Sequence, residues 1–289
     1  MTEGPLIGGV DATGRPFGLE VLAADIYGPG IVDIYGFTSQ TVHRVLDTHA
    51  ATHRRMALRQ LVPAGTIQAV DVLAVKAQVG GSSFSADYWP WVYDLKGRLA
   101  PLTPFVAGLG AVKVSRLDGQ GGIKASWTGE IPISGIERLG GREVVSDQAA
   151  ELLFEKGVNW VRQVRGRGYR VEAQKLSVPD GQTSRISHRI TLNTFAYGVE
   201  EIAQQFRDQV VPATGAAQQA IVGAIQDYLA PYEAGKPAPQ GDTIFGSAIV
   251  VDRTTIQDLQ QEILRIAVEV ALSPHAERVQ VGITQVPIR

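Results

Sequence analysis

The chain has 289 residues, of which 44% are hydrophobic and 19% charged, and its formal net charge is −2. These values are typical of a globular protein with one large or two ordinary domains, and so weak a charge gives no basis for binding nucleic acid or an anionic membrane. The absence of cysteine excludes disulfides and thiolate metal sites. No signal-peptide pattern and no apolar run long enough to span a bilayer is present, so we expect a soluble chain made in the cytoplasm.

The first part of the chain predicts an extended arm followed by alternating strands and helices. The arm comprises residues 1–22, which are rich in glycine and have no core of their own. A short buried strand is predicted at Ile31–Gly36. Thr38–Ser39 offers an N-cap for a helix that we predict to run to about Leu61. Valine-rich and aromatic runs then predict strands at Ala69–Val79 and Tyr88–Val92.

The middle of the chain continues this alternation. Ala107–Val114 fits either a helix or a strand, and Ile131–Leu139 is extended. A helix is predicted at Gln148–Lys156, where Gly157 ends it. Strands at Val158–Val164 and Tyr169–Leu176 then form a hairpin. Strand, helix and strand in this order predict an α/β or α+β sheet with helices packed against it.

The last third of the chain predicts a second group of elements. Arg185–Leu192 alternates apolar and polar residues and predicts a strand. Two helices follow, each ended by a proline, and a short helical turn capped by Thr254–Thr255 separates two further strands. The helices are predicted at about 194–210 and 216–229, and the strands at Thr243–Val251, Ile263–Leu272 and in the run that contains Val279, Val281 and Ile283.

All four tryptophans lie between Phe84 and Arg162. Tryptophan buries more apolar area than most side chains and needs a partner for its N–H group. This stretch is therefore predicted to contain the largest core.

The residue types that perform catalysis are not grouped in the sequence. His43, His49 and His53 fall on one predicted helix, and His49 and His53 are one turn apart, so both could bind one metal. No third ligand accompanies them, which favours a packing role. The serines at 82, 83 and 85 lack a supporting histidine or aspartate, and Gly119–Gly122 does not have the pattern of a phosphate loop. The sequence predicts no enzyme, no cofactor and no metal site.

Basic residues cluster on the predicted hairpin. We interpret them as a solvated surface or as one that meets an acidic protein partner, because aromatic residues are almost absent among them. The cluster consists of Arg162, Arg165, Arg167, Arg170 and Lys175.

Read in order, several motifs resemble those of the tail sheath proteins of contractile phage tails, R-type tailocins and related contractile injection systems. Ser85–Trp91 is similar to the family's "A-x-Y-Y-P-W" strand, and Pro104–Gly108 to its "P-S-G-x-V-A-G" segment. Leu152–Arg162 resembles "L-x-x-x-G-V-N-x-I-R". Thr254–Asp258 and Ser273–Glu277 resemble "N-T-x-x-D" and "A-P-x-x-P-A-E". The resemblance covers about residues 84–286.

The resemblance implies a fold and a division of the chain. It implies a non-catalytic, subtilisin-like α/β sheath domain at 23–177 and a C-terminal α+β sheath domain at 178–289, preceded by the arm at 1–22. It also implies that terminal strands are lent to neighbouring subunits. The implied inter-subunit strand consists of Arg278, Val279, Gln280, Val281, Gly282, Ile283, Thr284, Gln285 and Val286.

The function that the resemblance implies is mechanical. Six-subunit rings would stack around a tail tube and contract, driving the tube through the host envelope. The implied partners are the chain itself, the tube protein, and baseplate and terminator proteins, without direct contact to nucleic acid or membrane; the basic hairpin would meet a neighbour or the tube. The implied location is the virion tail, assembled in the host cytoplasm. The family's "P-G-V-Y-x-x-E" arm motif is absent, which leaves a specialised baseplate-proximal or terminator paralogue open, and a hydrolase or metal enzyme is a third alternative.

Overall fold

A computed structural model describes residues 9–10, 12, 16–23, 28–63, 73, 76, 80–137, 147–179, 183–207, 215–245, 249–261 and 263–274. The strands are β1 (Gly9–Val10), β2 (Pro16–Phe17), β3 (Ile31–Asp33), β4 (Met56–Gln60), β5 (Ser85–Trp89), β6 (Val92–Tyr93), β7 (Leu99–Ala100), β8 (Gly129–Ile131), β9 (Gly135–Ile136), β10 (Val158–Val164), β11 (Gly168–Val171), β12 (Ile249–Asp252) and β13 (Ile266–Glu269). The helices are α1 (Gln40–Thr52), α2 (Thr103–Val114), α3 (Asp147–Glu155), α4 (Ile186–Gln205), α5 (Ala216–Leu229) and α6 (Ile256–Gln260), with 3₁₀ turns at Gly18–Ala23 and Ala230–Tyr232.

A mixed six-stranded sheet organises the first part of the chain. Its order is β3-β4-β5-β10-β11-β8. The first four strands are parallel, and β11 and β8 are added antiparallel. Every residue of β4 and β5 is buried, as expected for strands that helices cover on both faces. The sheet therefore has an α/β character, with an antiparallel hairpin at one edge.

The two faces of the sheet have separate cores. On one face, Met56, Leu58 and Tyr88 pack with Val106 of α2 and with the start of α4. On the other face α1 and α3 contribute, because successive residues of a strand point to opposite sides. Trp127 lies in the core on the α2 face, called the first core below, and Trp89 lies in the core on the face of α1 and α3. Both side chains are almost fully buried. The prediction that Phe84–Arg162 contains the largest core is confirmed, because most residues of the core around Trp127 lie in this stretch, although Trp89 and Trp160 belong to a smaller core.

The helix predicted to run to about Leu61 ends nine residues earlier, so that part of the prediction is wrong. Ser39 caps its start as predicted, because the side-chain oxygen accepts a hydrogen bond from the Val42 amide. The helix ends where Arg54 adopts a left-handed φ of 50° and the Arg55 amide donates to the Ala50 carbonyl oxygen. The next residues form β4, because burial on both sheet faces outweighs their helical propensity.

The strand predicted at Arg185–Leu192 is also wrong, because these residues form the first two turns of α4. The alternating pattern was misleading since polar residues between the apolar ones are buried as well. Ser187, Thr191 and Asn193 are each at most 4% exposed. A helix enclosed on several sides shows no clear 3.6-residue period, so its apolar residues can also fit the two-residue spacing that predicts a strand.

Most of the strand predicted at Ala69–Val79 lies outside the described residues. Leu73 and Lys76, which are described, are helical rather than extended. The undecided segment Ala107–Val114 is part of a helix, α2, and the helix at Gln148–Lys156 is confirmed to within one residue. The segment predicted as extended, Ile131–Leu139, is described as far as residue 137 and contains the last residue of β8 and the whole of β9.

A second core lies in the C-terminal part. Phe195 of α4 and Ile221, Ile225 and Leu229 of α5 form it together with Ile244. The hairpin of β12 and β13 lays one face on this core, because Val250, Leu264, Ile266, Val268, Val270 and Leu272 all pack against it. The alternation predicted for Ile263–Leu272 is thereby confirmed. Helix α4 contributes Ile186 and Ile190 to the first core and Phe195 to the second, and so links the two.

Gly110 shows how tightly α2 approaches the first core. A Cβ atom at this position would lie 2.5 Å from the Trp127 ring, whereas one at Gly108 in the same helix would have no atom within 4 Å. We expect Gly110→Ala to lower the free energy of unfolding by about 1–3 kcal/mol through overpacking. Gly108→Ala should raise it by up to about 1 kcal/mol, because alanine favours helix. Urea unfolding of both variants measures this, and equal effects would contradict the packing argument.

Candidate inter-subunit surfaces

The strand predicted to join subunits, Arg278–Val286, lies outside the described residues. The hairpin that precedes it is described. Strands β12 and β13 pair antiparallel, with Ile249 opposite Glu269 and Asp252 opposite Ile266. Within the described residues, neither strand belongs to a larger sheet. As far as the described residues go, both outer edges leave backbone donors and acceptors to which a further strand could pair.

The hairpin is held rigidly at its turn. Thr255 and Asp258 cap α6 reciprocally, because the Asp258 amide donates to Thr255 Oγ1 at 3.1 Å and the Thr255 amide donates to Asp258 Oδ2 at 3.0 Å. Arg265 Nε donates to Asp258 Oδ1 at 2.7 Å. These bonds lower the pKa of Asp258 to about 2, with the Arg265 bond as the largest cause. The helical turn between the strands is thus fixed by side-chain hydrogen bonds at both of its ends.

Four of the five residues of the predicted basic cluster lie together in the structure. Arg162 and Arg170 are cross-strand partners on β10 and β11, and the Nε atom of each lies 3.5 Å from Glu172 Oε1. Arg165 and Arg167 lie in the turn between these strands and are exposed. These four arginines share one end of the sheet, where Glu172 offsets the repulsion within the cross-strand pair.

Lys175 does not belong to this group. It lies beyond the end of β11, and its amide donates to Asn159 Oδ1 at 2.6 Å. Its Nζ atom lies 4.0 Å from the centre of the Phe154 ring, a cation–π contact with α3. The structure therefore assigns Lys175 a packing contact within the chain.

The histidine helix is packed rather than arranged around an ion. The His49 and His53 rings are 4.6 Å apart, and His49 Nε2 lies 3.0 Å from an Arg55 Nη atom. Among the described residues, no group of three potential metal ligands occurs. Burial lowers the pKa of His43 to about 4, and the nearby Arg59 charge contributes. His43 is therefore neutral at pH 7.

The sequence reasoning missed a buried charge network between the sheet and α1. Arg59 of β4 and Asp87 of β5 are neighbours, with 2.7 Å between Nη2 and Oδ1 and with both side chains fully buried. Arg59 Nη1 also donates to Asp47 Oδ2 of α1 at 2.6 Å. Ser177 Oγ donates to Asp87 Oδ2 at 2.6 Å, and Lys76 Nζ lies 3.5 Å from the same oxygen. The network thus joins five separate segments of the chain.

The two cations of this network, Arg59 and Lys76, face two carboxylates, Asp47 and Asp87, whose pKa values both differ from the ordinary value. Burial raises the pKa of Asp87, but the opposing charges of Arg59 and Lys76 hold it below its ordinary value overall. Burial raises the pKa of Asp47 to about 6, against the charge of Arg59. Since Ser177 is buried and bonded to Asp87, its hydroxyl serves the network and is not exposed to a substrate.

One signal in the sequence could have revealed this network. Arg59 interrupts an apolar run, Met56–Leu61, and Asp87 interrupts the start of the aromatic cluster. Charged residues inside buried strands occur almost only when they are paired. Two such strands in one chain therefore indicate an ion pair, although they do not reveal the other three members of the network, Asp47, Lys76 and Ser177.

Comparisons with solved structures bear on the fold. The chain matches a chain of the sixfold-symmetrised cryo-EM structure of the anti-feeding prophage baseplate, with a TM-score of 0.68, 18% identity, and coverage of 85% of this chain and 64% of that one. It matches the sheath complex of the extracellular contractile injection system PVC in the contracted state, with a TM-score of 0.71, 17% identity, and coverage of 88% and 70%. It also matches the contracted anti-feeding prophage helical sheath, with a TM-score of 0.66, 18% identity, and coverage of 89% and 70%.

The chain spans about two thirds of the length of these structures. No family model and no curated protein matches it. Among the described helices, none is long and apolar enough to cross a membrane. The chain therefore has the fold of the sheath proteins of contractile injection systems, as the sequence resemblance implied. The subtilisin-like character of the first part and the division into two domains stay predictions.

Proposed function

We propose that this chain is the structural subunit of a contractile sheath. It would polymerise as stacked six-subunit rings around a tube and contract to drive the tube through a host envelope. The observation that carries this proposal is the likeness of its fold to sheath and baseplate chains over 85–89% of its own length. No enzymatic activity is proposed, since the matched structures are named as sheath and baseplate assemblies.

Each of the two cores belongs to a part of the chain for which we propose a different role. The part at 23–177 would be the rigid body built on the six-stranded sheet, and the part at 178–289 would carry the linkage. We propose that Arg278–Val286 of one subunit adds to an edge of the β12–β13 hairpin of another, and that the arm at 1–22 also links subunits. Strand addition suits this role, because main-chain hydrogen bonds are strong while the joined bodies stay free to rotate.

The exposed end of the β10–β11 hairpin is proposed as a second contact. Arg165 and Arg167 would meet an acidic surface of a neighbour or of the tube protein. Arg162 and Arg170 are committed partly to Glu172 and would contribute less. Baseplate and terminator proteins would cap the assembly, which would reside in the virion tail after assembly in the host cytoplasm.

A second candidate is a specialised sheath paralogue near the baseplate. It is favoured by the match to an anti-feeding prophage baseplate chain, which scores close to the matches to sheath chains. The two candidates differ in copy number, because a main sheath has many rings per particle and a paralogue about one. Quantitative mass spectrometry of purified particles, with the tube protein as reference, distinguishes them.

The purified chain tests the proposal directly. We expect negative-stain electron microscopy at high protein concentration to show tubes or stacked rings with sixfold symmetry in end views. A chain that sediments as a monomer at every concentration, without rings or tubes, would contradict the proposal. Particles purified from a producing strain provide the matched positive control.

A further inference from the structure

A polar pocket lies where the end of α1 faces the side of α4. Its volume is about 330 Å³, within the range of small-ligand sites. Gly28, His53, Arg55, Tyr197 and Glu200 are among the residues that line it. None of these residues belongs to the hairpin edges or to the basic cluster proposed above, so the pocket is a separate feature.

The end of α1 fixes the position of Arg55 in this pocket. The left-handed φ of Arg54 reverses the chain, and the Arg55 amide bonds to the Ala50 carbonyl oxygen at 2.8 Å. Since β4 begins at the next residue, the backbone of Arg55 is held between a helix end and a central strand. Its side chain is therefore directed by rigid elements, and the residue is only 4% exposed.

Among the described residues, none brings a counter-charge into direct contact with Arg55. Its guanidinium Nε donates to the Gly28 carbonyl oxygen at 3.2 Å, and Nη1 lies 3.0 Å from His49 Nε2. The Gly28 carbonyl group carries no charge. Burial and the neighbouring His53 and Arg55 lower the pKa of His49 to about 4, so its imidazole is also uncharged at pH 7. Within the described residues, no carboxylate forms an ion pair with Arg55. A buried, uncompensated cation is costly unless an anion joins it.

The acidic residues of the pocket lie at its outer rim. Glu200 pairs with Arg54, and the two side chains are 53% and 42% exposed. Glu201 is exposed as well. Charges in contact with water are screened and interact weakly, so these carboxylates do not replace a direct partner for the buried Arg55.

We propose that this pocket is an oxyanion-binding site in which the Arg55 guanidinium receives a phosphate or carboxylate group. An arginine presents several N–H donors in a fixed plane, and such groups accept them in pairs. The oxyanion arrives either as a small free molecule or as the carboxylate side chain of a second copy of the chain. The first source is independent of the proposed sheath function, whereas the second rests on it.

Binding of free anions is tested with the whole chain and two variants. Isothermal titration with inorganic phosphate, and separately with acetate, is carried out on wild type, Arg55→Met and Arg54→Asn at constant ionic strength. Asparagine tolerates the left-handed conformation of position 54, so Arg54→Asn removes the rim cation without disturbing the helix end. We expect saturable binding by wild type, at least tenfold weaker binding by Arg55→Met, and little change in Arg54→Asn.

Thermal unfolding without added anion separates this role from a purely structural one. If Arg55 is an uncompensated charge, Arg55→Met should unfold at the same temperature or higher. A large loss of thermal stability in Arg55→Met, together with no anion binding by wild type, would overturn the proposal. So would equal anion binding by wild type and Arg55→Met.

The second source has its own readout. Suppose that wild type binds neither anion but forms tubes. If a carboxylate of a second copy then occupies the pocket, we expect folded Arg55→Met to form tubes only at a much higher protein concentration, and Arg54→Asn to assemble normally. Unchanged assembly of Arg55→Met, combined with no anion binding, overturns the proposal. If the wild-type chain forms no tubes at all, the proposed function fails, and the titration alone decides about the pocket.

Discussion

Asp87→Asn is expected to lower the free energy of unfolding by about 3–5 kcal/mol, the usual cost of removing one partner from a buried ion pair. The carboxylate of Asp87 accepts hydrogen bonds from Arg59 and Ser177 and lies 3.5 Å from Lys76 Nζ. An amide has the same shape but no charge, so it leaves Asp47 to offset the charge of Arg59 and removes the carboxylate that faces Lys76. Urea unfolding monitored by circular dichroism measures the difference.

Glu269→Gln is the matched control for this substitution. Glu269 pairs with Arg253 at 3.0 Å, but the two side chains are 58% and 61% exposed. Exposed pairs contribute little, so the control should change the free energy of unfolding by less than about 1 kcal/mol. A similar cost for the two variants would mean that the buried network contributes no more than a surface pair.

The pH dependence of unfolding gives a second check on Asp87. Because its pKa is lowered in the folded chain, the carboxylate stabilises the fold above the pKa of the unfolded state, and this contribution is lost as the pH falls through the folded-state pKa. In Asp87→Asn this part of the acid dependence should be missing. The difference in stability between wild type and variant should therefore narrow below about pH 4.

Local signals in the sequence predicted local structure well. Ser39 as an N-cap and Gly157 as a helix stop act through neighbouring backbone groups, so a few residues contain the whole cause. Arg54 gave no such signal, since nothing in its identity indicates a left-handed conformation that glycine adopts more easily. The helix boundary was missed for this reason, and residues 56–60 were assigned to the helix although the sheet encloses them.

The candidate sites also differ in whether signals close together in the sequence could predict them. Arg162 and Arg170 could be placed together because hairpin pairing relates residues that are close in sequence. Arg59 and Asp87 are brought together by the pairing of two parallel strands, and Ser177 joins them from beyond β11, 118 residues after Arg59. Contacts of this kind depend on the tertiary fold, which no periodicity in a single sequence encodes. The same holds for the pocket at Arg55, whose other wall is α4.

The hydrogen-bond pattern of the C-terminal hairpin shows which amides face outward. The Arg253 amide donates to the Arg265 carbonyl oxygen at 2.8 Å, in the same register that places Val251 opposite Ala267. In antiparallel pairs hydrogen-bonded positions alternate with non-bonded ones, so the odd-numbered residues of β13 bond to β12. The amides of Ile266 and Val268 therefore point away from β12, toward any strand that joins this edge.

Val268→Pro is accordingly expected to abolish tube formation while leaving the isolated chain folded. Proline removes the outward amide that an added strand would bond, yet it takes no bond from the β12–β13 ladder and keeps an apolar ring against the second core. Ala267→Pro is the matched control, because it removes an inward amide and should destabilise the hairpin itself. Electron microscopy shows whether each variant forms tubes, and thermal unfolding of the isolated chain shows whether it is still folded. Normal tubes from Val268→Pro would exclude strand addition at this edge, because a central strand of a larger sheet cannot lack that donor without loss of pairing.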